Sequence, residues 1–433
     1  MTEAAPPAWI LADGTGGLSL AKRHVDGTHR LVTPEETLAR FAPLGPRMGI
    51  TRLGVLTGLD TLGIPVCFAA RPNSRSIAVF QGKGLTLAAA KVSAFMEAAE
   101  TFHAEEIRAP CRLARADDLE AAGLAAVWAD LPLAKAGAFD PDTLIPWIEA
   151  RHVVSGASAW VPLELVSTDY TEAAAARLGR IFEANTNGLA SGNHPVEAFA
   201  HALYELIERD AVALWQLRGG PGEPAIDLDT ITDPGCRWLV ERLAAAGTRA
   251  RLWDATSDIG VPTYVCLLAD AHDGATDPEL GAGCHPDPAV AMARALSEAA
   301  QARTTWIAGA RDDFAPSLYG PAARRSRRAA SLRWLDAPAT APAAARAGCA
   351  GASLADDLAA ALSCLGGVGL RDVYLVDLTR PDFGLPVVRA IVPGLEAPVT
   401  GPVAEYRPGP RGARALAAGR AGVGDAAAGR LRA

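Results

Sequence analysis

Apolar residues recur at helical spacing in three long stretches, and each stretch follows strand-like or Gly-containing sequence. The first predicted helix covers residues 86–106, after the β-like run Ile77-Ala78-Val79-Phe80 and the segment Gln81-Gly82-Lys83-Gly84, with Thr86 as its cap. The second covers 195–215, after a segment at 185–193 that contains Asn187-Gly188 and Gly192-Asn193, with Asn193 as the cap. The third covers 288–308, after the strand-like Thr263-Tyr264-Val265-Cys266-Leu267-Leu268 and Gly281-Ala282-Gly283-Cys284. All three Gly segments read as loops. Thr33-Pro34-Glu35-Glu36 predicts a shorter helix opened by a capping box. Further β-like runs lie at 54–57, 64–68, 160–166, 372–377 and 387–392. Residues 107–150 read as Pro/Ala-rich with short helices, 321–348 as a mobile loop or insertion, and the Gly/Ala/Arg-rich sequence after 407 as a frayed tail. This alternation predicts a mixed α/β (α+β) protein with more than one sheet.

Composition narrows the class. The chain has 433 residues, of which 50% are hydrophobic and 21% charged, enough for a large core in a soluble protein. A net charge of −8 argues against a general nucleic-acid binder. There is no apolar run of about 18 residues for a membrane helix. The N-terminus lacks a basic start followed by an apolar stretch, so the cytoplasm is the expected compartment. Seven scattered cysteines without a Cys-x-x-Cys pair read as free thiols, not as a zinc site or disulfide framework.

Candidate chemistry sits inside the three helices. Glu97 and Glu100, Glu205 and Glu208, and Glu298 and Gln301 are each three residues apart, so each pair shares a helix face. The bland alternative is three solvated faces; the recurrence of the spacing argues against it. Carboxylates that converge without a cation repel one another and hold protons, and Mg²⁺ with a triphosphate relieves that. Lys83 stands where a phosphate is approachable, but the surrounding residues do not form a P-loop. Arg209, Arg303 and Arg311 are candidate partners for a phosphoryl group. His194 and His285 sit in candidate site loops. No hydrolase-triad, zinc-protease or dinucleotide motif is found.

Taken in order, Gly82-Lys83-Gly84, Ser93-x-x-x-Glu97-x-x-Glu100, Asn187-Gly188-Leu189-Ala190-x-Gly192-Asn193, Glu205-Leu206-Ile207-Glu208-Arg209-Asp210, Gly281-Ala282-Gly283, Glu298-x-x-Gln301 and Val392-Pro393-Gly394-Leu395-Glu396 resemble the YcaO superfamily. The stretch from Gly49 through Asn73 also resembles stand-alone YcaO proteins that work with a TfuA-type partner. The resemblance implies a fold of several sheets and long helices around a central ATP/Mg²⁺ site. It implies residues 1–62 as an arm and the start of the catalytic fold, 63–405 as the catalytic domain and 406–433 as a flexible tail. It implies activation of a peptide backbone amide: a nucleophile adds to the amide carbon, the oxyanion attacks the γ-phosphate, and phosphate leaves. Side-chain nucleophiles then give azolines, sulfide gives thioamides, and an amine gives amidines. By resemblance Glu97, Glu100, Glu205, Glu208 and Glu298 are Mg²⁺ and phosphate-region residues, with Arg209 beside them as a catalytic residue. Lys83, Ser93, Asn193, Glu197 and Gln301 are further ATP-site residues. The C-terminus lacks the terminal proline motif of many azoline-forming relatives. The expected activity is therefore thioamide formation on a ribosomal peptide or protein with a TfuA-like partner. Azoline formation and a non-catalytic binding scaffold are the alternatives, and the resemblance is compatible with a homodimer while leaving the oligomeric state open.

Overall fold

The structure is a computed structural model that describes residues 20–134, 138–270, 277–336, 338–399 and 406–422. In chain order, α1 (Pro34–Phe41) precedes β1 (Arg52–Val55), β2 (Val66–Ala70), β3 (Val79–Lys83) and the long α2 (Leu87–Glu105). Then come β4 (Cys111–Ala114), α3 (Ala116–Ala121), β5 (Ala125–Ala126), β6 (Ile145–His152), β7 (Ser158–Pro162), α4 (Glu172–Leu178) and β8 (Leu189–Ser191). The longest helix, α5 (Pro195–Leu217), follows. Next, β9 (Ala225–Ile226), α6 (Pro234–Ala245), β10 (Thr248–Asp254), β11 (Thr263–Asp270) and β12 (Glu279–Cys284) lead into α7 (Pro288–Ala308). Last are α8 (Pro321–Leu335), β13 (Ala339–Ala341), α9 (Leu354–Gly367), β14 (Tyr374–Asp377), β15 (Val387–Ile391) and α10 (Pro410–Gly422).

The largest sheet runs β5-β7-β6-β14-β15-β8, with β4 also paired to β6. Its strands alternate faces. Val387 and Ile391 join a core with Phe95 and Phe102 of α2, while Val388 and Ala390 face a core with Phe199 and Leu203 of α5 and Leu358 of α9. This sheet thus separates α2 from α5 and α9. Two smaller antiparallel sheets, β1-β2-β3 and β10-β11-β12, each end in a strand that leads directly into a long helix, α2 and α7. A third apolar cluster lies between the β10-β11-β12 sheet and helices α6 and α7.

Several expectations are corrected. Gln81-Gly82-Lys83 and Gly281-Ala282-Gly283-Cys284 are not loops; they lie within β3 and β12. Their glycines allow the backbones of strand and helix to touch. A Cβ on Gly82 would lie 2.0 Å from the Ala94 nitrogen, and one on Gly281 2.1 Å from the Ala299 nitrogen. The segment at 185–193 ends in β8, which pairs with β15. Asn193 does not cap α5. His194 does, its Nδ1 accepting the Val196 N–H at 3.1 Å. Residues 107–150 carry strands β4 and β6 as well as helix α3. The supposed loop at 321–348 contains α8. Within the supposed frayed tail, 410–422 form α10, where Arg411 makes a two-pronged bond to the buried Asp210, 2.9 Å on each arm. Residues 423–433 lie outside the described residues. Thr33 and Thr86 cap their helices as the sequence predicts.

Candidate active site

Strand β3 and helices α2, α5 and α7 bring their polar faces to one cavity of about 1000 Å³. All eleven residues that the resemblance assigned to the site line it: Lys83 from β3, Ser93, Glu97 and Glu100 from α2, Asn193 from the turn before α5, Glu197, Glu205, Glu208 and Arg209 from α5, and Glu298 and Gln301 from α7. The three-residue spacing puts each pair on one helix face, and sheet packing turns those faces inward.

Cations and carboxylates alternate around the wall. Lys83 Nζ bonds Glu298 Oε2 at 2.9 Å. The Arg209 guanidinium lies 3.6 Å from Glu208 and 4.0 Å from both Glu205 and Glu298. Glu208 Oε2 accepts the Cys284 N–H at 2.9 Å, which ties α5 to the end of β12. Glu100 Oε1 accepts the Ser191 N–H at 2.9 Å and its hydroxyl at 2.7 Å. Three of the eleven are committed to the scaffold. Glu197 takes the Leu31 N–H at 2.9 Å and the Asn193 amide at 3.0 Å, Asn193 Oδ1 takes the Thr37 hydroxyl, and Gln301 Nε2 donates to the Gln81 carbonyl at 3.2 Å.

The electrostatics follow from burial. Desolvation pushes Glu97 up to about 7, despite Lys83 and Arg311. It pushes Glu100 up to about 8, despite the Ser191 bonds, and Glu205 up to about 7, despite Arg209. Glu208 is raised as well, by the same burial. For Glu298 burial alone would raise the value, but Lys83 and Arg209 outweigh it and hold it down at about 2. A cavity whose carboxylates hold protons near neutral pH is short of positive charge. The donor set of hard carboxylate oxygens suits Mg²⁺. Among the described residues no three of these glutamates bring oxygens within 4.8 Å of one another, so each cation would take one or two carboxylates and complete its shell with other oxygens. Gln301 Oε1 and Arg294 Nε are buried there without a hydrogen-bond partner, which leaves an unfilled donor and an unfilled acceptor for a polar ligand.

The sequence reading missed two lining arginines. Arg294 stands four residues before Glu298 on α7, a spacing that announces the shared face. Arg30 comes from the N-terminal arm, and nothing local points to it. Of the other candidates, Arg311 lines the cavity, but Arg303 pairs with Asp60 and Asp270 instead. His285 Nδ1 accepts the Asp287 N–H at 2.9 Å at the start of α7. His285 also belongs to the metal-like cluster found among the described residues, with His29 and Asp357. Lys22 lies 2.7 Å from Asp357 there, and with the Asp287 bond on His285 the cluster is an ion-paired polar knot. The seven cysteines are free.

The family model "YcaO cyclodehydratase", described as ATP- and Mg²⁺-binding, matches residues 81–396. A protein of Rhizobium leguminosarum bv. trifolii, described as lying in the tfuA 3′ region, is 37% identical over 413 residues, covering 89% of this chain and 93% of its own. A Methanothermobacter thermautotrophicus protein is 37% identical over 375 residues, covering 84% of this chain and 94% of its own. Among solved structures, YcaO from Methanopyrus kandleri bound with AMPPCP and Mg²⁺ superposes with a TM-score of 0.71 at 22% identity, covering 87% of this chain and 95% of that one. A heterocyclase in complex with substrate and cofactor gives a TM-score of 0.72 at 23% identity, and the match spans 89% of this chain but only 55% of the heterocyclase. At these identities the two structures establish the fold. The family match across most of the chain, with relatives at 37% identity along nearly its full length, makes this chain a member of the YcaO family, whose domain binds ATP and Mg²⁺.

Proposed function

We propose that this chain activates a backbone amide at the expense of ATP and installs a thioamide on a ribosomal peptide or protein together with a TfuA-like partner. The observation that carries the reading is the meeting of Glu97 and Glu100, Glu205 and Glu208, and Glu298, from three separate helices, on one cavity. In this reading those five glutamates hold Mg²⁺, and Lys83, Ser93, Asn193, Glu197 and Gln301 line the nucleotide. Bound ATP supplies the phosphoryl group that turns the amide oxygen, a poor leaving group, into phosphate. The chain's residues set the conditions for that exchange. Arg209 holds positive charge among Glu205, Glu208 and Glu298, and Ser191 fixes the rotamer of Glu100. The tfuA-region relative at 37% identity supports the thioamide over the azoline.

Glu100→Gln and Glu208→Gln test the site. Both carboxyls are raised by burial, so a neutral amide of the same shape keeps the fold. Each variant should lose about a hundredfold or more of ATP turnover with an unchanged circular dichroism spectrum. Wild-type turnover in both would sink the assignment. Product mass separates the chemistries: oxygen-to-sulfur exchange supports the thioamide, and loss of water identifies azoline formation. Calorimetry with Mg-ATP that shows no binding would leave the scaffold reading.

A further inference from the structure

Five lysine and arginine side chains line the nucleotide cavity, and they fall into two groups. Lys83 and Arg209 are paired with the glutamates, and Arg311 with Asp313. Arg30 and Arg294 form no ion pair among the described residues. Arg30 Nη1 makes one long bond, 3.4 Å to the carbonyl of its neighbour His29, and Arg294 Nε is buried without an acceptor. Glu197 is the carboxylate whose charge Arg30 feels most, but it spends its oxygens on Leu31 and Asn193. Burial holds the Arg30 value down, and the like charge of Arg294 adds to it. Arg389 on β15 is a third arginine with no ion pair among the described residues, but it lines neither cavity.

His201 stands with Arg30 and Arg294. It lines the same cavity from α5, and Arg294 and Arg30 are the charges it feels most. Burial first, and then those two with Lys83 and His285, hold its value well below the ordinary one, so the imidazole is neutral. His201 lies one helical turn before Glu205 on α5, and Arg294 lies one turn before Glu298 on α7. Arg30 joins them from the N-terminal arm. The three therefore make a tier of the wall set back about 6 Å along each helix from the glutamates assigned to Mg²⁺. Two guanidiniums without a counter-charge suit an anion. A phosphate would be held better by a third cation than by a neutral imidazole. An anion that must later give up a proton uses all three groups.

We propose that Arg30, His201 and Arg294 form the subsite of the sulfur nucleophile, taken up as hydrosulfide beside the nucleotide. This rests on the thioamide-forming function proposed above. The two guanidiniums hold the anion and favour it over neutral hydrogen sulfide. Its sulfur pair bonds to the amide carbon, and the carbonyl π pair moves to oxygen, which takes the phosphoryl group. The sulfur still carries its proton. That proton passes to the neutral imidazole of His201, the S–H pair becomes the π bond of C=S, and the C–O bond breaks with its pair leaving on phosphate.

Anaerobic kinetics in sodium hydrosulfide at constant ionic strength test this, with a synthetic peptide on which the wild type releases phosphate. Turnover should saturate in hydrosulfide. Arg30→Met and Arg294→Met should each raise KM for hydrosulfide about tenfold or more, with KM for the peptide held. An equal or larger rise in KM for Mg-ATP would give the arginines to the nucleotide and overturn the subsite. His201→Ala should lower kcat about a hundredfold at constant KM for hydrosulfide, and added imidazole should restore part of the loss. A lower melting temperature with no recovery in imidazole would make His201 structural and overturn the proton transfer. If no peptide elicits phosphate release, the proposed function fails, and calorimetry still decides the subsite. Sodium hydrosulfide is then titrated anaerobically into the protein with Mg²⁺ and a non-hydrolysable ATP analogue. Heat of binding that Arg30→Met abolishes supports the subsite; no heat, or equal heat in both proteins, overturns it.

Discussion

The residues of the site are poised by what they lack. Glu97, Glu100 and Glu205 keep protons to about 7, 8 and 7 because burial disfavours their charged forms. A group raised in the folded state favours folding at low pH, and that contribution is lost as pH rises through the folded value. The protein without metal should therefore lose thermal stability from about pH 4.5, the ordinary value of these carboxyls, to about pH 8, and level off above that. Mg-nucleotide should flatten the fall, because binding displaces the protons. Apparent Mg²⁺ affinity should rise over the same range, with proton release measurable by calorimetry in two buffers of different ionisation enthalpy. A pH-independent affinity would contradict the shifted carboxyls. At this scale the sequence is most readable: the eleven residues that the resemblance assigned to the site line one cavity, as does Arg311, while Arg303, His194 and His285, also picked from the sequence, do not. Their division of labour is not readable. Nothing local says that Glu197 spends its oxygens on Leu31 and Asn193 while Glu97 forms no ion pair among the described residues.

At the scale of elements, glycine misled the reading because two different demands select it. A turn needs its φ freedom; a strand under a helix needs its missing Cβ. Gly82 and Gly281 serve the second demand, one beneath α2 and the other beneath α7. Gly82→Ala should cost about 3 kcal/mol or more, since the clash is with backbone and not with a pliable side chain. It should also weaken Mg-nucleotide binding, because α2 carries Glu97 and Glu100 away from the cavity. Gly222→Ala, where nothing lies within 4 Å, is the control and should be close to neutral in urea unfolding. The long helices were readable because their apolar faces repeat over many turns. The helix α8 was not, because its Ala/Arg-rich sequence resembles a loop by composition and declares itself helical only by propensity. Asn193 looked like a cap, yet the chain needed its side chain against Thr37 and Glu197 and left the capping to His194.

At the scale of the molecule, segments far apart in sequence lock helix α5 in place. Asp210, two residues beyond Glu208, is fully buried, and Arg411 of α10 supplies its counter-charge. Arg411→Ala leaves that carboxylate unpaired and should destabilise the protein by about 3–5 kcal/mol, with loss of ATP turnover as α5 shifts. Asp210→Asn combined with Arg411→Met should recover most of the stability. If the single variant unfolds at the wild-type urea concentration, α10 is not the anchor described here. The N-terminal arm acts in the same way, with Leu31 bonded to Glu197 and Arg30 in the cavity wall. Among the described residues no helix is long and apolar enough to cross a membrane, as the hydropathy pattern predicts.

The sequence by itself determined the helices, their paired carboxylates and the class of ligand those oxygens suit. Each depends on spacings of a few residues, which a helix converts to geometry without help. Only the tertiary structure decided which pairs meet, which cations stand between them, and that one buried arginine has no ion pair among the described residues. Those outcomes depend on strand register and on backbone contact between distant segments, and no local pattern encodes them.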